Sequence, residues 1–233
     1  MNASQGFSPE FQAYGAWVAA VAIHQQDLFN DALGDGHQHA NLDSRTLTGD
    51  RGVLSGVTLL GSFSHSDHTW LWAWANQHFG PHDPASAPTL AIRDFGERHG
   101  ITEFTTDSPD LSGFPEPAQA AATLAITAGT VLRGRGIYST AINDGQGHVY
   151  LQVADEQLPL APFDPIVTPR LLLTAIGVFP ADHRQVVRGY FQHFGMQYAE
   201  TADALRGTAP DGSTVVITLD DHNRLSNVSI EPA

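Results

Sequence analysis

Histidine is the residue type in this chain whose spacing could do chemistry. There are 12 in 233 residues, and six of them fall in three close groups: His37 with His39, His65 with His68, and His78 with His82. Asp67 and Asp83 lie beside the second and third groups. On a strand, residues two apart share a face, so His37 and His39 could act together. A divalent metal needs three or four N or O ligands converging on one point. His37, His39, His65 and His68 are therefore the candidate metal ligands. No H-E-x-x-H spacing is present, and loop lengths do not decide whether the two pairs meet. Solvated loop histidines are the favoured reading, and a metal-binding protein ranks third among the functions.

The second chemical feature is Thr69-Trp70-Leu71-Trp72-Ala73-Trp74-Ala75-Asn76, which holds three of the four tryptophans. A strand sends successive side chains to opposite faces, so Trp70, Trp72 and Trp74 would share one face and Leu71, Ala73 and Ala75 the other. Such a face could line a ligand pocket, with Asn76 and the loop at 107–117 at its border. Packing is favoured instead, because large aromatics mostly serve cores. An enzyme or small-ligand binder with a pocket here ranks second.

Other chemistry is sparse. Cysteine and lysine are both absent, which removes thiol nucleophiles, disulfides, Schiff-base lysines and the P-loop lysine. There is no G-x-S-x-G elbow. Asp43, Glu97, Glu103 and Asp110 could act as acids or bases, but no fixed spacing pairs them and a solvated surface is preferred. Gly134-Arg135-Gly136 is too short for a dinucleotide fingerprint and reads as a helix stop. Asp110 to Pro115 reads as an ordered connection. Asn2-Ala3-Ser4 and Asn227-Val228-Ser229 match the glycosylation pattern by chance, since no signal peptide is seen. No cofactor is indicated.

The net charge is −14, with 25 acidic residues against 11 arginines. Such a surface repels nucleic acid and anionic lipid, and it admits a basic protein partner. No apolar run is long enough to span a bilayer. The expected location is cytoplasmic. Together these absences favour a non-enzymatic interaction or binding module.

The positioning elements follow from caps and periodicity. Ser8 caps a helix with Pro9 at its first position, and Leu33-Gly34-Asp35-Gly36 ends it. Strands are expected over 39–49 and 53–64, and the Trp strand returns from a hairpin tip at 65–68. Phe79-Gly80-Pro81-His82-Asp83-Pro84 is a loop. Helices follow over 89–99 and 117–132. A hairpin turns at Asn143-Asp144-Gly145 between strands 137–142 and 148–153. The four prolines of 155–169 mark a linker. Helices over 170–178 and 181–194 are separated by Pro180, and strands follow over 197–208, 213–219 and 224–230. The order helix, strand, strand, strand thus occurs at both ends, which gives an α+β fold of antiparallel sheets with helices packed on one face. The division is an N-terminal α+β domain over 1–160 and a C-terminal αβββ subdomain over 161–233, packed as one unit or standing apart.

The run from Leu60-Gly61-Ser62-Phe63 through Trp70 to Asn76 resembles the signature of an uncharacterised bacterial family, domain of unknown function 6882. Phe95 to Ile101, Asp110 to Phe114, Gly136-Ile137-Tyr138, Thr168 to Leu172 and Arg188 to Phe191 extend the resemblance over nearly the whole chain. It implies one continuous unit, and it transfers no activity, substrate, cofactor or catalytic residue.

Overall fold

The computed structural model describes residues 6–79 and 82–233. The Asn2-Ala3-Ser4 match, and the Gly80-Pro81 part of the expected loop, lie outside them. Among the described residues there are six α-helices and three antiparallel sheets of three or four strands, none closed into a barrel. The α+β expectation therefore holds.

Helix α1 spans Pro9–Leu33. The Ser8 hydroxyl accepts from the Phe11 N–H at 3.2 Å, and the chain leaves through Gly34 at φ 77°, as cap and stop chemistry dictate. Two compact units divide the chain. One holds the residues up to Phe11 with Gln25–Leu160; the other holds Gln12–His24 with Ala161–Ala233. The middle of α1 thus belongs to the second unit.

In the first unit, β1 (His39–Asn41), β2 (Thr46–Gly49) and β3 (Gly52–Leu54) form a three-stranded sheet. The expected single strand over 39–49 is a hairpin instead. The Asn41 side-chain oxygen accepts from the Ser44 N–H at 3.0 Å, and Arg45 takes φ 53°, so a local side-chain turn overrides the β pattern. A second sheet has the order β5-β4-β7-β6, with β4 Thr58–Ser64, β5 Trp70–Trp72, β6 Gly136–Ile142 and β7 Gly147–Val153. The Asn143-Asp144-Gly145 turn joins β6 to β7 as expected. Phe29, Leu47, Val57, Leu59, Leu151 and Val153 form one buried cluster. Helices α2 (Leu90–His99), α3 (Thr102–Thr105) and α4 (Pro117–Val131) complete the unit.

In the second unit, α5 (Thr168–Val178) and α6 (His183–His193) precede a sheet of order β11-β10-β9-β8. Four strands replace the three expected, because 197–208 folds into β8 (Gln197–Glu200) and β9 (Ala204–Thr208). The turn between them is held by Thr201 donating to Asp203 at 2.7 Å and by Arg184 donating to the Thr201 carbonyl at 3.0 Å. β10 (Thr214–Leu219) and β11 (Leu225–Glu231) follow. Val215, Ile217 and Leu219 are buried on one face, while Thr214, Val216 and Thr218 alternate on the other. Gly189 of α6 lies against the Trp17 backbone of α1, where no side chain would fit.

Asp155, just past β7, ties the chain to Ser55. Its carboxylate accepts from the Ser55 N–H at 2.6 Å, the Ser55 hydroxyl at 2.8 Å and the Gln157 N–H at 2.8 Å. Burial alone would push this carboxyl up, but the bonds from Ser55 and Gln157 outweigh it and hold it below the ordinary value. A carboxyl depressed on folding stabilises the fold above its unfolded value and loses that contribution as pH falls. Asp155→Ala should cost about 1–2 kcal/mol at neutral pH. In urea titrations the gap from the parent should narrow below about pH 4; an equal gap in acid and at neutrality would contradict this.

Candidate functional site

The Trp stretch does not run as one strand. Only Trp70–Trp72 is extended, and Ala73–Ala75 turns as a short 3-10 helix, with the Asn76 N–H donating to the Ala73 carbonyl at 3.2 Å. β5 lies at a sheet edge and its last pair joins Trp72 to Gly61, so no ladder continues beyond it. Alanine at 73 and 75 suits the helical turn that follows. The expected common face of Trp70, Trp72 and Trp74 is thereby corrected: Trp70 and Trp72 share a face, and Trp74 leaves it.

Trp70 and Trp72 are 0% exposed. Their rings meet at 5.2 Å; Trp70 meets Tyr150 at 5.1 Å and Trp72 meets Phe104 edge-on at 5.9 Å. Phe104 then meets Phe11, which meets Phe7, which meets Phe114. The Trp72 indole N–H donates to the Glu103 carbonyl at 2.9 Å. The Glu103 carboxylate accepts from the Ser8 hydroxyl at 2.7 Å and from the Ser8 N–H. These side chains are spent on packing the start of α1 onto the sheet. Trp74 is half-buried with the Arg93 guanidinium over its ring at 5.3 Å. The Asn76 side chain accepts from the His78 N–H at 2.9 Å and so caps the next turn. The 107–117 loop packs along β5: Trp70 and Trp72 donate their N–H groups to the Pro109 and Asp107 carbonyls at 3.0 and 3.2 Å.

The histidines separate. His39 sits on β1 opposite Thr48, and His37 precedes that strand. His68 stacks over Phe63 at 6.5 Å, and its charge is a minor contributor, behind the Ser112 hydrogen bonds, to holding the Asp110 carboxyl below its ordinary value. His65 Nε2 lies 2.8 Å from His148 Nδ1. Among the described residues no group of three or more His, Cys, Asp or Glu is placed to hold a metal ion.

The His65–His148 contact is a hydrogen bond rather than half of a chelate. The ring centroids are 5.0 Å apart, close to the N···N distance plus two ring radii, so the two nitrogens point at each other. A metal would need both lone pairs aimed at a third point. In the neutral pair one ring donates and the other accepts. His148 is 83 residues away from His65, and the β4–β7 register, which sets Phe63 opposite His148, brings it there. No local signal in the sequence reveals that pairing.

A cavity of about 110 Å³ opens between the end of α1 and the β2–β3 hairpin, lined by Leu33, Arg51, Val53, Leu54 and Gln157 among others. None of its lining residues is a Trp or a His. For the histidine pair, a double-mutant cycle on His65→Ala and His148→Ala should show a coupling of about 1 kcal/mol in urea unfolding. Additive effects would mean that the contact contributes nothing.

No curated protein and no solved structure matches the chain. The model of a family of unknown function, DUF6882, matches residues 12–156. That span contains the Trp stretch and the motifs at 95–101, 110–114 and 136–138, whereas those at 168–172 and 188–191 lie beyond it. It covers more than half of the sequence, and on that ground the chain belongs to the family of unknown function DUF6882.

Proposed function

We propose that the protein is a non-enzymatic binding module of the cytoplasm whose partner is a basic protein. The observation that carries this reading is the distribution of charge. The first unit holds 17 acidic and 6 basic residues, and the second 8 and 5. In the second unit Glu200 pairs with Arg184 and Arg188, Glu231 with Arg206, and Asp220 with Arg224, so part of its acid is already neutralised. In the first unit Asp31, Asp35, Asp43 and Asp50 are exposed, at the end of α1 and on the turns of the β1-β2-β3 sheet. An acidic excess of this kind steers an oppositely charged partner and raises its association rate. Trp70 and Trp72 are buried in the aromatic packing of the first unit.

Calorimetric titration with an arginine-rich peptide tests the reading. Binding is expected at low ionic strength and should weaken by roughly tenfold or more at physiological salt. Changing Asp31, Asp35, Asp43 and Asp50 together to Asn should weaken it further, with a larger loss per charge than Asp221→Asn in the second unit. No binding at low ionic strength would overturn the proposal.

A further inference from the structure

The two edges of the β5-β4-β7-β6 sheet are treated differently. Along β5 the outward N–H groups of Trp70 and Trp72 are taken up by Pro109 and Asp107, the Ser108 hydroxyl donates to the Trp70 carbonyl at 2.7 Å, and Thr69 bridges to Asp110. That edge is covered. Along β6 the cover stops after one residue. The Gln26 carboxamide of α1 accepts from the Ile137 N–H at 2.8 Å and donates to the Ile137 carbonyl at 2.9 Å, as a neighbouring strand would.

Among the described residues no strand pairs with the rest of that edge. Because the Ile137 backbone faces Gln26, alternation along an antiparallel strand turns the Ser139 and Ala141 backbones outward as well. The other side of β7 agrees: the His65 N–H donates to the Gln146 carbonyl, so the even residues of β7 serve β4 and its odd residues serve β6. Ser139 and Ala141 are exposed. β6 reads Gly-Ile-Tyr-Ser-Thr-Ala-Ile in unbroken register with β7. It has no charge, no proline and no bulge, the devices that ordinarily blunt an exposed edge.

We infer that β6 pairs with β6 of a second copy of this chain, antiparallel about a two-fold axis at Thr140. This register sets Thr140 opposite its own counterpart, Ser139 opposite Ala141 and Tyr138 opposite Ile142. The outward groups of Ser139 and Ala141 then satisfy one another. Opposed residues point to the same face, so the two sheets continue as one. Thr opposite Thr is a favourable cross-strand pair, and no like charges meet within the strand. In this register the exposed turn residue Asp144 falls toward the strand start of the other copy, on the side of the exposed Arg133. A closed two-fold contact of this kind is the commonest form of oligomer.

This self-association is separable from the basic-partner reading by its salt dependence. Each copy carries −14, so screening should tighten the dimer, whereas it loosens binding to a basic partner. Sedimentation equilibrium of the full chain should show a mass that doubles with concentration and a dimer that strengthens several-fold on adding salt. Exchange of the Ser139 and Ala141 amides should slow by tenfold or more in the dimer. Ala141→Pro removes an outward N–H without removing a bond to β7, and should return the monomer. Thr140→Lys, which sets two like charges on the axis, should do the same. A monomer at every concentration, or a dimer that survives both substitutions, overturns the inference. So does a monomer whose β6 amides are shielded by a co-purified extended peptide.

Discussion

The Trp72 indole is held in two ways: its ring packs between Trp70 and Phe104, and its N–H donates to the Glu103 carbonyl. A helix start, a sheet edge and a loop of the first unit meet around that position. The hydrogen bond from the Trp72 indole gives that buried N–H an acceptor and fixes the Glu103 carbonyl of α3 beside it. The Glu103 carboxylate in turn holds the Ser8 end of α1. The same placement of β5 lets the 107–110 segment lie along the strand and close that edge of the sheet. One aromatic contact thereby links a helix start, a sheet edge and a loop.

Local chemistry made much of this legible in the sequence. Ser8, Pro9 and Gly34 bound α1 because a cap, a preset φ and a left-handed residue act within one turn. The Asn143 hairpin was legible for the same reason. The misses were of two kinds. At 41–45, 55–57 and 201–203 the backbone turns inside runs that read as continuous strand, with Asn41, Ser55 and Thr201 side chains bonded there, and the alternation pattern is blind to that. At Trp74 the pattern persisted, but the partner strand ended. Periodicity reports what a strand would do, not whether a neighbour is there to hold it.

The candidate site shows the same limit more sharply. His65 was visible as part of a polar tip, while its partner His148 comes from another hairpin through a register that spans 83 residues. Burial of Trp70 and Trp72 was the favoured reading from chemistry alone, because large apolar rings mostly serve cores. Which sheet edge is covered could not be read at all. It follows from where Gln26 and Pro109 end up, and neither carries a sequence signal for that role.

The most direct test of the view that the Trp stretch holds the fold, rather than lining a binding pocket, is urea unfolding of Trp72→Phe. Phenylalanine keeps an aromatic ring but leaves a gap and strips the Glu103 carbonyl of its donor. A loss of about 2–3 kcal/mol is expected, from the lost packing and hydrogen bond together. Unchanged stability would mean that Trp72 faces open space, and would contradict the account.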